Sequence, residues 1–142
     1  MLTDSELIRR EQRKTVFRVV PPSDWRVLLH QRTNVLVSGP KTALDAFVRM
    51  AQSEMREPIL SSTGGRLPPL DDDLQTLIIS DVASLSDANQ KRLRQWIERH
   101  PDLHPQIIAL TSVPLFALVA SKAFDASLYY RLNTILLELQ EG

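Results

Sequence analysis

The residues with the most chemical meaning in this chain are Gly39-Pro40-Lys41-Thr42, which join an apolar run to a helix-like pattern. A lysine and a hydroxyl at the start of a helix, behind a glycine turn, are residue types that hold phosphate. Backbone N–H groups wrap the anion, and the helix end and the lysine supply positive charge. A full cradle of this kind reads G-x-x-x-x-G-K-[ST], and its loop length provides the run of N–H donors. Here the intervening residues and the second glycine are missing, and Pro40 removes one donor. Gly39, Lys41 and Thr42 therefore offer a residual anion contact at most. The plainer reading is a tight strand-to-helix turn with a solvated lysine.

A second polar end, Ser80-Asp81, follows the apolar Leu77-Ile78-Ile79. A carboxylate there can hold the water shell of a magnesium ion, or it can simply hydrogen-bond at the strand end. Other constellations carry less. Asp71-Asp72-Asp73 beside prolines reads as a solvated loop, and His30, His100 and His104 have no metal or triad spacing. Ser38, Ser61 and Ser62 lack the surroundings of an activated nucleophile. The chain has no cysteine, which excludes disulfides, thiolate metal sites and cysteine nucleophiles. No catalytic residue and no metal site is assigned. The basic segment Arg9-Arg10-Glu11-Gln12-Arg13-Lys14 is the best candidate for nucleic acid, although Asp4, Glu6 and Glu11 dilute it towards an ordinary solvated helix face.

The elements that must position these residues follow from periodicity. Five short β-type runs alternate with helical patterns: Asn34-Val35-Leu36-Val37-Ser38, Pro58-Ile59-Leu60-Ser61-Ser62, Leu74-Gln75-Thr76-Leu77-Ile78-Ile79, Gln106-Ile107-Ile108-Ala109-Leu110-Thr111 and Thr134-Ile135-Leu136-Leu137-Glu138. Between them, Ala43, Leu44, Phe47, Val48, Met50 and Ala51 are spaced for one apolar helix face. Ser86-Asp87 opens a helix through Leu93, Trp96 and Ile97, and the Asp87–Gln90 spacing fits a capping box. Two short helices are expected at about 114–120 and 126–131. Continuous apolar strands alternating with helices predict a parallel sheet covered on both faces. Before Asn34 the pattern is weaker, with a polar helix over 2–14 and a short one capped by Ser23-Asp24 and running through Trp25, Val27 and Leu28.

A chain of 142 residues suits one domain with a real core. Basic and acidic residues are equal, at 17 each, which argues against a main role in gripping nucleic acid or an anionic membrane. No signal-like start and no stretch long enough to span a membrane is present, so a cytoplasmic protein is expected.

The last third of the chain carries a specific likeness. Ala123-Phe124-Asp125-Ala126-Ser127-Leu128-Tyr129-Tyr130-Arg131-Leu132-Asn133 resembles the segment Phe-Arg-x-Asp-Leu-Tyr-Tyr-Arg-Leu-Asn of the AAA+ ATPase domain of sigma-54 transcription activators. Leu77 to Ser86 is similar to that family's Leu-Phe-Leu-Asp-Glu-Val-Gly-Glu-Leu-Ser, its Walker B strand. Gln106 to Ser112 is similar to the strand ending in its sensor asparagine, and Asn34 to Gly39 to the strand before Walker A. Order and spacing agree from about Asn34 to Leu139.

The resemblance implies a three-layer, doubly wound, parallel five-stranded α/β sheet with strand order 5-1-4-3-2. It implies a degenerate AAA+ core over 34–142 without the lid subdomain, since Glu141-Gly142 falls where the family runs on into its lid, and the helical patterns before that core make 1–33 an expected N-terminal helical extension. By the same resemblance Gly39, Lys41, Thr42 and Asp81 occupy vestigial nucleotide positions. Ser80 stands for an acidic residue, Asp81 for a longer glutamate, and Ser112 for the sensor asparagine. Asp125 replaces the first of two arginines that reach a neighbouring subunit's nucleotide, while Arg131 keeps the second or serves structurally by pairing with Asp125 or Glu138. Tyr129, Tyr130 and Arg131 fall on the family's subunit-facing edge and are the interface candidates.

The stretch from Thr63 to Asp73 lacks the family's Gly-Ala-Phe-Thr-Gly-Ala loop, so contact with the sigma factor is not expected. The expected function is a non-catalytic regulatory module without cofactor, partnered by an AAA+ regulator or by itself. The alternatives are a weak ATPase domain using ATP with Mg, and a small DNA-linked regulator using the basic N-terminal segment.

Overall fold

The computed structural model describes residues 16–18, 26–27, 29–63, 65–99 and 105–139. The expected helix over 2–14 with its basic segment, together with Trp25, Leu28, His100 and His104, lies outside the described residues.

Each of the five apolar runs becomes a strand and a sixth precedes them: β1 Val16–Arg18, β2 Val35–Ser38, β3 Ile59–Ser62, β4 Thr76–Ile79, β5 Gln106–Thr111 and β6 Ile135–Glu138. The helices between them are α1 Lys41–Ala51, α2 Asp87–Arg99, α3 Leu115–Ala120 and α4 Ala126–Leu132. Among the described residues the strands form one parallel sheet in the order β1-β6-β2-β5-β4-β3. From β2 to β6 this is the expected order 5-1-4-3-2.

The addition is β1, which pairs in register Val16↔Leu136 to Arg18↔Glu138. A helical extension before Asn34 is thus corrected at these three residues. A strand so short shows no periodicity, and its β-branched Val16 and aromatic Phe17 are the only local signal. Further on, Arg26, Val27, Leu29 and His30 are helical, as expected for Val27. Among the described residues no helix is long and apolar enough to cross a membrane.

The alternation of side chains along each strand divides the core. Val35, Val37, Ile78, Ile108, Leu110 and Leu137 pack against Leu44, Phe47 and Ala51 of α1. On the other face Leu36, Leu77, Ile79, Ile107 and Ala109 meet Leu93, Trp96, Leu115, Leu128 and Leu132 from α2, α3 and α4. Every residue of β5 is buried, as a central parallel strand covered on both sides requires. Burial of each Leu or Ile contributes roughly 1.5–3 kcal/mol. Met50 departs from the expected apolar face of α1 and is 52% exposed. It lies six residues beyond Leu44, about 240° around the helix.

At the amino ends of the strands buried polar side chains lace neighbours together. Asn34 Oδ1 accepts the Ile107 N–H at 2.9 Å, and its Nδ2 donates to the Arg131 carbonyl at 3.0 Å. Gln106 Nε2 donates to the Thr33 carbonyl at 2.9 Å, and Thr76 Oγ1 to that of Arg56 at 2.8 Å. Buried backbone groups need such partners, because one left unsatisfied costs about 1–3 kcal/mol. Asn34→Leu, similar in volume but unable to bond, is expected to destabilise the fold by about 2–4 kcal/mol. Urea unfolding should show a lower midpoint with the slope unchanged; an unaltered midpoint would contradict the assigned role.

Candidate functional site

All the strands point their carboxyl ends the same way, and the chain leaves β2 for the far edge of the sheet before returning beside it. Ligands of open parallel sheets bind at the carboxyl ends where the strand order reverses in this manner. A cleft of about 430 Å³ lies there. Its polar lining is Lys41, Asp45, Thr63, Ser80, Asp81 and Ser112, over Leu44 and Leu110. Lys41, Asp81, Ser80 and Ser112, far apart in sequence, are thus brought to one place. Asp45 and Thr63 were missed by the sequence reading. The spacing of Lys41 and Asp45, one helical turn apart, was the available signal for the first.

The turn from β2 into α1 is closed on both sides. The Gly39 N–H donates to the Thr111 carbonyl at 3.2 Å, and the Leu139 N–H donates to the Ser38 carbonyl at 2.7 Å. A Cβ on Gly39 would meet the Leu139 carbonyl oxygen at 2.9 Å, so only glycine fits. Pro40 has no N–H, and helical bonding begins with Leu44 N–H to the Pro40 carbonyl at 3.0 Å. No side chain caps this end of α1, and its first turn has no acidic residue. The backbone donors at 39 and 40 are therefore spent or missing, which does not fit a wrapped triphosphate. Lys41 and Thr42 open the helix with exposed side chains.

Asp81 sits in the left-handed region, at φ 56° and ψ 55°. Its Oδ2 accepts the Ser84 hydroxyl at 2.6 Å and its carbonyl accepts the Ser84 N–H at 3.0 Å. The Asp81 carbonyl thus starts the short 3-10 turn Val82–Ser84, and its carboxylate is held by the hydroxyl at the end of that turn. That turn presses on the next loop, since Gly65, at φ 73°, would place a Cβ 2.6 Å from the Ser84 carbonyl. Arg92 Nη2 donates to the Leu67 and Pro68 carbonyls, and Leu67 is buried. The connection from β3 to β4 is held against the body of the molecule.

The α4 segment corrects two expectations. Tyr129 is 2% exposed, with its hydroxyl accepting from Asn133 Nδ2 at 2.8 Å, so it belongs to the core and offers no interface. Leu128 and Leu132, four residues apart, fix that buried face. Tyr130 is 50% exposed, its ring 5.2 Å from that of Tyr129 at 71°. Arg131 Nη2 reaches Glu98 at 3.4 Å across the α2–α4 boundary, rather than Asp125 or Glu138. Asp125 is the N-cap of α4: its Oδ1 accepts the Leu128 N–H at 2.8 Å, and its Oδ2 lies 3.5 Å from Arg94 Nε. Gln90, expected to close a capping box, instead accepts the Asp125 N–H at 2.8 Å and donates to the Ala123 carbonyl. The cap of α2 is Ser86, whose Oγ accepts the Asn89 N–H at 3.1 Å.

A family model described as the sigma-54 interaction domain matches residues 30–141. The chain is similar in structure to NtrX from Brucella abortus in complex with ADP, at a TM-score of 0.68 and 13% identity, covering 99% of this chain and 37% of that one. It is also similar to a Thermotoga maritima RuvB mutant, at 0.58 and 21% identity over 82% of this chain and 42% of that one. A third likeness is to the P-loop NTPase domain of the sigma-54 transport activator from E. coli, at 0.53 and 19% identity over 84% and 94% of the two chains. At these identities the structural likenesses establish the fold. The chain spans well under half of the NtrX and RuvB chains. No curated protein matches it.

The cap gives a direct test. Asp125→Arg removes the acceptor for Leu128 and sets a second cation beside Arg94. The expected cost is about 1 kcal/mol, seen as a melting temperature lower by roughly 3–6 °C. Asp125→Asn, which keeps the acceptor oxygen, should recover most of the loss. Equal melting temperatures for all three proteins would refute the capping role.

Proposed function

Because the chain belongs to the sigma-54 interaction domain family, we propose that it is a non-catalytic regulatory module of bacterial transcription that keeps the AAA+ core for its surfaces. The observation that carries this reading is the turn between β2 and α1. Catalysis of phosphoryl transfer is almost wholly positioning and charge stabilisation, so the phosphates must be embraced by backbone donors and a metal ion. Gly39 gives its N–H to Thr111 and Pro40 has none. The Leu139 carbonyl stands against the only flexible residue of the turn. Ser80 carries no charge, and the carboxylate of Asp81 is bonded to Ser84. The carboxylate of Asp125, where the resemblance places an arginine, would repel a nucleotide.

The surface kept for a partner is the exposed edge of α4, Tyr130 and Arg131. The partner is an AAA+ regulator or a second copy of this chain in the cytoplasm. Contact with the sigma factor is not part of the proposal, because the β3–β4 connection lacks the loop for it and is pinned by Arg92.

A second reading has one observation in its favour: Lys41, Asp81 and Ser112 do share a cleft, so weak binding of ATP with Mg is its content. Titration with Mg-ATP separates the two. Ligand that binds the native state raises the melting temperature by linkage. No shift is expected at millimolar Mg-ATP, and binding in the micromolar range would overturn the non-catalytic reading. Tyr130→Ala together with Arg131→Ala is expected to weaken partner association by about tenfold or more without lowering the melting temperature by more than roughly 2 °C. Undiminished association would remove α4 as the surface.

A further inference from the structure

The β3 strand stands at the end of the sheet and pairs with β4 alone. In a parallel ladder the N–H and C=O of one residue point to one neighbour, and those of the next residue point away from it. The Pro58 carbonyl accepts from Gln75 and Thr76, and the Ser62 carbonyl accepts from Ser80. Ile59 and Ser61 alternate with these residues, so their backbone groups face outward. Among the described residues no hydrogen bond occupies those groups. Side chains leave the edge open as well: Ser61 is exposed, and Ile59 and Leu60 are half-buried.

Proteins shield such edges with charges, prolines or bulges, because an open edge is a template for another strand. Ile59-Leu60-Ser61-Ser62 carries no charge and no proline. The charges lie beyond its two ends. Glu57 precedes the strand, and Arg66 follows it in a turn where its N–H donates to the Thr63 carbonyl at 3.1 Å. Both are exposed, and among the described residues neither makes an ion pair. Their surroundings repeat the polarity. Asp71-Asp72-Asp73 lead to Gln75, which is bonded to Pro58, so with Glu57 they outnumber Arg32 and Arg56 at the amino end. Towards the carboxyl end Arg66 and Arg92, the latter bonded to the Leu67 and Pro68 carbonyls, outnumber Asp81.

We infer that β3 pairs antiparallel with β3 of a second copy of this chain, about a two-fold axis at Leu60. Ile59 then exchanges both of its backbone bonds with Ser61 of the second copy, and Ser61 does so with Ile59 of the second copy, as antiparallel pairing requires. Leu60 meets Leu60 of the second copy directly across the axis, so the half-buried leucines cover each other. The same register sets Glu57 opposite Thr63 of the second copy, beside that copy's Arg66. Symmetry repeats the contact at the other end, and such an interface closes at two copies. A second copy is the occupant that answers each end of this edge with its opposite charge. The inference is independent of the cleft and of the α4 surface.

The test uses the full chain and sedimentation velocity from micromolar to millimolar protein. A concentration-dependent equilibrium between monomer and dimer is expected. Glu57→Arg and Arg66→Glu should each weaken self-association by about tenfold. An equimolar mixture of those two variants should recover it, because each end of one then meets its opposite on the other. Ser61→Pro removes only an outward N–H, which an edge strand tolerates; it should abolish the dimer and leave the circular dichroism of the monomer unchanged. Tyr130→Ala with Arg131→Ala should dimerise as the unaltered protein does. Three results would overturn the inference: a monomer at every concentration, a dimer indifferent to the single charge reversals, or a mixture that associates no better than either variant alone.

Discussion

The closure of backbone around Gly39 sets the geometry of the whole carboxyl end of the sheet. Ser38 and Gly39 are hydrogen-bonded to both flanking strands, through Leu139 on one side and Thr111 on the other. The β2 strand therefore continues its ladder as far as Gly39, with only Pro40 between it and the helix. A loop that wraps an anion must leave the sheet first, so that its N–H groups turn away from the neighbouring strands. Here they do not turn away. The position of α1, the depth of the cleft and the placement of Lys41 at its mouth all follow from that one tight turn.

The two ends of the sheet are consequently built in different ways. At the amino end the buried side chains of Asn34, Thr76 and Gln106 each have a specific backbone partner, and Asn34 by itself bonds both β5 and α4. Such bonds add modest net stability individually, but the penalty for leaving one unmade fixes strand register. At the carboxyl end the polar side chains are more exposed and converge on a cleft. Asp81 on the cleft holds a left-handed backbone, and beyond it Gly65 lies so close to the Ser84 carbonyl that a side chain would not fit. The stable end holds the architecture, and the open end inherits its position from it.

How much of this was legible depended on whether the signal was periodic. The run Gln106 to Thr111, preceded by Pro105, coincides with β5 residue for residue, because a strand buried on both faces is written as continuous apolar sequence. The order of the five core strands and the meeting of Lys41, Ser80, Asp81 and Ser112 came from the family likeness. β1 was not legible, since three residues carry no period. The burial of Tyr129 was within reach, because helix phase from Leu128 and Leu132 places it beside the apolar stripe. The pairing of Arg131 with Glu98 was not, because it joins two helices whose rotation only the packed core determines.

Asp125 shows why such substitutions are not read correctly one function at a time. In the resemblance it is an arginine replaced by the opposite charge, which says only that a contact is gone. In the structure the same carboxylate caps α4, lies beside Arg94, and follows a segment that Gln90 holds by hydrogen bonds at Ala123 and Asp125. An exposed ion pair contributes little alone, about 0–1 kcal/mol. A cap that satisfies an orphan N–H at the start of a seven-residue helix contributes more in proportion, because so short a helix has few bonds of its own. The carboxylate therefore orders the element that carries Tyr130 and Arg131. The order of that edge therefore depends on a carboxylate that is itself remote from Tyr130 in the hydrogen-bond pattern, acting through the first turn of α4.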